Sequence, residues 1–146
     1  MPKSSERHAV IPESHCDILE SRCYPMISTL RPDGMLSSNP VSIVWDGDKI
    51  RFSTLKDRMK YRNLLADPRI ALCAVHPDNP LHYLEVRGRA VLEDDIDRRF
   101  VNQIARKYMD VDEYPFDPPG AARVTVTITA EQISTPYMGK VGGPRD

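Results

Sequence analysis

The chain has 146 residues, a net charge of −1 and 40% hydrophobic residues, which fits one domain with a real core and excludes a disordered or helical membrane protein. The near-neutral charge gives no reason to expect nucleic acid or an acidic membrane as partner, so any anion site must be local. No apolar stretch opens the sequence as a secretion signal would, and three cysteines, Cys16, Cys23 and Cys73, at no metal-like spacing argue against a disulfide framework and a zinc site. The expectation is one cytoplasmic domain over 1–146, with tails over about 1–10 and 139–146 and reduced thiols.

Along the chain, 12–20 reads as a short amphipathic helix ending before Pro25. The period then changes to that of strands: 24–31 is rich in β-branched and aromatic residues, and Asp33-Gly34 supplies a tight hairpin. Val41, Ile43 and Trp45 alternate along 40–45, which predicts the returning strand, and Asp46-Gly47-Asp48 turns into a third strand over 50–54. A helix is predicted from about Arg58 to Ala66, with Tyr61, Leu64 and Leu65 as its apolar stripe and Asp67-Pro68 as its stop.

Strands are predicted again over 69–75 and 83–92, where Gly88 interrupts the alternation and signals a bulge or a close backbone approach. From Asp94 a helix is signalled by acidic residues, by Ile96, Phe100 and Ile104 at helical spacing, and by Arg106-Lys107 near its end. After a proline-rich loop, 123–128 alternates perfectly and predicts a closing strand. The sum is a mainly β (α+β) chain: a six-stranded antiparallel split β-barrel with helices outside, since closure removes exposed edges.

The stretch most informative about function is 53–64, a strand end leading straight into a helix. Hydroxyls of Ser53 and Thr54, unpaired first-turn amides, and the cations Arg58, Lys60 and Arg62 around the helix start together make an anion site. Arg58 can clamp a phosphate bidentately and Lys60 adds a point charge; a solvated basic face balanced by Asp57 and Asp67 is the plainer alternative. Tyr83 and His82 are candidate proton donors, although His82 reads first as a surface residue. A metal site on His76 and His82 lacks further ligands nearby. Trp45, the only tryptophan, can stack on a ring but reads first as core packing beside a turn.

These residues also carry a resemblance. The Asp33-Gly34 turn, Ser38-Asn39-Pro40-Val41, Ser53-Thr54, the run Arg58-Met59-Lys60-Tyr61-Arg62-Asn63-Leu64, Asp67-Pro68-Arg69 and Glu85-Val86-Arg87-Gly88-Arg89-Ala90 resemble the pyridoxamine-phosphate-oxidase-like split-barrel superfamily. Within it, the sequence is most similar to small oxidoreductases that use the deazaflavin coenzyme F420. The likeness spans roughly 12 to 136.

It implies a homodimer with two cofactor sites at the subunit interface and hydride transfer to a small unsaturated or quinone-like substrate. It also implies that Arg58 and Lys60 bind the cofactor phosphate, that Ser53 and Thr54 assist, that Asn39 lies beside the ring or ribityl chain, and that Asn63 hydrogen-bonds near the phosphate. FMN is the alternative cofactor, and a non-catalytic flavin, deazaflavin or haem carrier or sensor the alternative role. The oxidases proper add a C-terminal extension that is not recognised here, which argues against vitamin B6 oxidation. Lys140 and Arg145 of the tail are read as frayed rather than as lying over the site.

Overall fold

The computed structural model describes residues 9–136, so the expected tail over 139–146, with Lys140 and Arg145, and all but the end of the one over about 1–10 lie outside the described residues. A 3-10 turn over Glu13–His15 leads into α1 (Cys16–Glu20). Seven antiparallel strands follow where six were expected: β1 (Met26–Leu30), β2 (Leu36–Pro40), β3 (Ile43–Trp45), β4 (Ile50–Leu55), β5 (Arg69–His76), β6 (Asn79–Asp94) and β7 (Arg123–Ser134). Helix α2 (Met59–Ala66) joins β4 to β5, and α3 (Arg99–Met109) lies between β6 and β7.

The extra strand comes from splitting the 40–45 run. The strand returning from the Asp33-Gly34 turn is β2, paired with β1 from Leu30↔Leu36 to Met26↔Pro40. At Val41, whose amide donates to Pro25 O at 2.9 Å, the chain leaves that ladder, and Ile43 to Trp45 pair with β4 instead. The order is β2-β1-β5-β6-β7-β4-β3, so the two edge strands are neighbours in sequence. Laid flat, seven strands at about 4.8 Å spacing would hold those edges roughly 29 Å apart. Three Cα steps from Pro40 to Ile43 reach about 11 Å at most. The sheet must therefore curl, and the curl gives a split barrel whose seam lies between β2 and β3.

The concave face is dry. Ile27, Ile43, Phe52, Leu72, Leu84, Val86, Val124, Val126 and Ile128 form its core, each from the inward register of its strand. Gly88 sits at the expected bulge: the β6–β7 ladder shifts between Arg87 and Gly88, and a Cβ on Gly88 would lie 1.9 Å from Thr129 O. Two helical expectations are corrected. Leu65 is 61% exposed, so α2 buries Asn63 beside Leu64 rather than an all-apolar stripe. Ile96 is 89% exposed because the helix starts later, after Arg98 takes a left-handed φ of 62°. Asp95 caps α3 instead, its carboxylate accepting the Phe100 and Val101 amides at 3.1 and 2.9 Å.

Candidate functional site

Strand β4 points Phe52 and Thr54 into the barrel and leaves Arg51, Ser53 and Leu55 on the other face. After Leu55 the chain turns through Lys56 and Asp57, with the Arg58 amide donating to Leu55 O at 3.0 Å, and enters α2. No side chain caps the N-terminus of α2, and no acidic residue lies in its first turn. Its opening amides and its positive dipole end are therefore left for a ligand or water.

The cations gather there. Lys60 is half-buried, and burial first, then the positive charges of Arg58 and Arg123, push its ammonium below the ordinary lysine value. Among the described residues no carboxylate pairs with it. Arg123 opens β7 directly opposite Leu55 and reaches Ser53 Oγ at 3.4 Å through Nη1. Asp117 holds Arg123 from the other side through bonds of 2.7 and 2.6 Å, and the guanidinium lies 4.8 Å from the Tyr114 ring centre. The sequence reading missed Arg123, because nothing local in an alternating strand shows which strand end it will face. Arg62, expected to converge on the helix start, instead bonds Asp57 O at 3.0 Å from an exposed position.

Among the described residues four buried side-chain polar atoms have no hydrogen-bond partner: Asn39 Oδ1, Trp45 Nε1, Thr54 Oγ1 and Asn63 Oδ1. Three of them belong to the candidate cofactor-binding residues. Asn63 is not on the helix exterior: it is fully buried, and its Nδ2 donates to Thr29 Oγ1 at 3.0 Å. Asn39 lies on edge strand β2 opposite Ile27, and Thr54 is 2% exposed. Buried acceptors without donors cost free energy unless a ligand or water satisfies them. The corner thus offers guanidinium, ammonium, hydroxyl and open helix amides to an anion, with carboxamide and hydroxyl groups inside. That donor set fits the phosphate and polar ring edge of a flavin-type cofactor.

Elsewhere, His82 Nε2 lies 2.9 Å from Asp17 Oδ1 and His76 Nε2 lies 3.6 Å from Oδ2, while the His15 ring packs at a tilt of 47° against His82. The Asp78 amide donates to His76 Nδ1 at 3.1 Å, which leaves Nε2 facing Asp17. Among the described residues no cluster of three such groups is placed to hold a metal ion. His82 is thus tied to α1 rather than free at the surface. Tyr83 sits on β6 opposite Val75.

The barrel whose seam is bridged by two residues, together with a cation-lined strand-to-helix corner, defines a split-barrel protein with a candidate anion site. The family model for pyridoxamine 5'-phosphate oxidase matches residues 11–136, and the chain belongs to that family. A solved F420 reductase is 35% identical with a TM-score of 0.76, and the match covers 85% of this chain and 98% of that one. A conserved hypothetical protein from Mycobacterium tuberculosis (21% identity, TM-score 0.72, 97% and 94% covered) shares the fold. So does a pyridoxamine 5'-phosphate oxidase-related, FMN binding protein from Nostoc punctiforme (14%, 0.56, 82% and 77%). No curated relative matches. No described helix is long and apolar enough to cross a membrane.

Proposed function

We propose that the chain is an oxidoreductase that binds coenzyme F420 and passes a hydride between the reduced deazaflavin and a small unsaturated or quinone-like substrate. The observation that carries the binding half of this reading is Lys60, half-buried within reach of the positive charges of Arg58 and Arg123 and with no carboxylate partner among the described residues. A protein leaves such a group uncompensated when an anion completes it. The choice of deazaflavin rests on the 35% likeness to an F420 reductase, with FMN as the competing cofactor.

In this reading Arg58, Lys60 and Arg123 hold the phosphate, and Ser53 Oγ and the first α2 amides complete its hydrogen bonds. Thr54 and Asn63 offer their unpartnered oxygens to the linking chain, and Asn39 offers its carboxamide to the ring edge. When bound, the cofactor supplies the hydride chemistry, while the protein supplies position and exclusion of water. The protein acts as a cytoplasmic homodimer with each cofactor at the subunit interface, which places the ring against edge strand β2 and a second chain. No side chain is assigned as catalytic.

Titration of the protein with coenzyme F420 and with FMN tests this. Quenching of deazaflavin fluorescence at micromolar protein, with weaker FMN binding, is expected. Tighter FMN binding would overturn the deazaflavin assignment, and binding of neither would overturn the site. Reduced coenzyme F420 offered with a panel of enones and quinones should be reoxidised; binding without reoxidation would make the protein a carrier.

A further inference from the structure

Asp117 is out of place beside an anion site. Its side chain is only 6% exposed, and it bonds directly to Arg123, one of the cations of the α2 corner. A carboxylate there repels phosphate, and burying it is costly even when it is paired. A corner that needed positive charge alone would leave Arg123 without it.

The geometry gives the carboxylate a different task. Asp117 accepts from Arg123 Nε and Nη2 at 2.7 and 2.6 Å, a two-pronged pair along one edge of the guanidinium. The Tyr114 ring covers one face, its centre 4.8 Å away, and the Arg123 side chain is 10% exposed. With that edge and that face taken, Nη1 is left over. It points to Ser53 Oγ at 3.4 Å, the longest of the guanidinium's described bonds, at the strand end that leads into α2.

The holder is itself held. Arg98 donates Nη1 to Asp117 at 3.0 Å and Nη2 to Tyr114 O at 3.4 Å. It does so from a left-handed φ of 62°, a strained conformation that a non-glycine residue keeps only when its surroundings enforce it. The same turn supplies the Asp95 amide, which donates to Arg123 O at 2.9 Å. Main chain and side chain of Arg123 are thus both pinned, by the lead-in to α3 and by the Tyr114–Asp117 loop. Two guanidiniums share the one carboxylate, so the group keeps net positive charge, and that of Arg123 reaches Lys60.

Given the phosphate-bearing cofactor proposed for this corner, we infer that Asp117 is a positioning residue for it: the carboxylate fixes Arg123 with Nη1 turned to the Ser53 side, so that the phosphate meets a preset donor. A free arginine has to give up rotamer freedom on binding, and a preset one does not.

The two roles open to Asp117 predict opposite signs. If it acts as charge alone, removing it strengthens anion binding; if it positions Arg123, removing it weakens binding. Asp117→Asn, nearly isosteric, is titrated as the full chain with whichever of coenzyme F420 and FMN the parent binds more tightly. Affinity should fall at least about tenfold, the low end of the span for a hydrogen bond to a charged group. Arg123→Gln should lose as much, and Asp117→Asn added to Arg123→Gln should lose nothing further, because the carboxylate acts through the guanidinium. Circular dichroism and thermal melting establish that each variant is folded. Should Asp117→Asn fail to fold, Tyr114→Leu, which strips the guanidinium face and alters no charge, should weaken binding severalfold, and unchanged affinity in that variant would overturn the inference. Asp117→Asn binding as well as the parent or more tightly, or additive losses in the double variant, would overturn it while leaving the cofactor assignment standing. A parent that binds neither cofactor would overturn both.

Discussion

Replacing Lys60 separates a binding role from a structural one, because the two predict opposite effects on the ligand-free protein. Its ammonium is half-buried, it feels the positive charges of Arg58 and Arg123, and no described carboxylate offsets it. Lys60→Met keeps most of the aliphatic stem and removes the charge, so the ligand-free variant should be as stable as the parent or slightly more so. Binding of a phosphate-bearing cofactor should lose about 1.5–3 kcal/mol, the span for a hydrogen bond to a charged group, or about 12- to 160-fold in Kd. Lys60 also fixes a pH dependence. Its lowered value in the free protein means that affinity falls as pH rises through a point below about 10.4, and a bound phosphate pulls that value back up. Fluorescence or calorimetric titration from pH 7 to 10, with thermal melts of both proteins, reads all three effects. A Lys60→Met protein that melts well below the parent while binding cofactor equally would show that the lysine is structural and refute the argument.

Gly88→Ala should cost more than about 2 kcal/mol and lower Tm sharply, because the added methyl meets Thr129 O at 1.9 Å and neither backbone can yield cheaply. Tyr108→Phe should cost about 2–3 kcal/mol in chemical denaturation, since the hydroxyl donates to Cys23 O at 2.5 Å and accepts the Ile43 amide at 3.0 Å, leaving two backbone groups orphaned. Asp117→Asn should destabilise by about 3 kcal/mol, the range for breaking a buried pair, because Arg123 and Arg98 both lose their partner. Hydrogen bonds from Arg123, then Arg98, hold the Asp117 carboxyl below its ordinary value against the effect of burial. The stability it adds is complete above the unfolded value near about 3.9 and is lost as pH falls through the lower folded one. The parent-minus-variant difference should therefore stay flat from neutral pH to about 4 and shrink only below it; a difference that shrinks from pH 6 would contradict the pairing.

Much of the fold could be read from local chemistry. The Asp33-Gly34 turn, the β4-to-α2 handover and the bulge at Gly88 all follow from short-range steric rules, and each lies where the residues put it. The 40–45 strand was misread because period-two alternation reports which face a side chain occupies, not which neighbour its backbone pairs with. Val41, Ile43 and Trp45 alternate smoothly while the ladder changes from β1 to β4 beneath them. Ile96 was placed in α3 because apolar spacing does not register the left-handed turn at Arg98 that delays the helix. In the candidate site, the cations carried by the helix were visible, but Arg123 was not. Its place depends on the β4–β7 register and on an ion pair with Asp117, both tertiary facts.

The most direct trial of the β4–α2 corner as a phosphate site is a crystal structure of the protein with coenzyme F420 bound. The cofactor phosphate should lie within about 3 Å of Lys60 Nζ and the Arg58 guanidinium, with Ser53 Oγ or a first-turn amide as a further donor. A phosphate bound elsewhere, with Arg58 and Lys60 facing only water, would contradict the account.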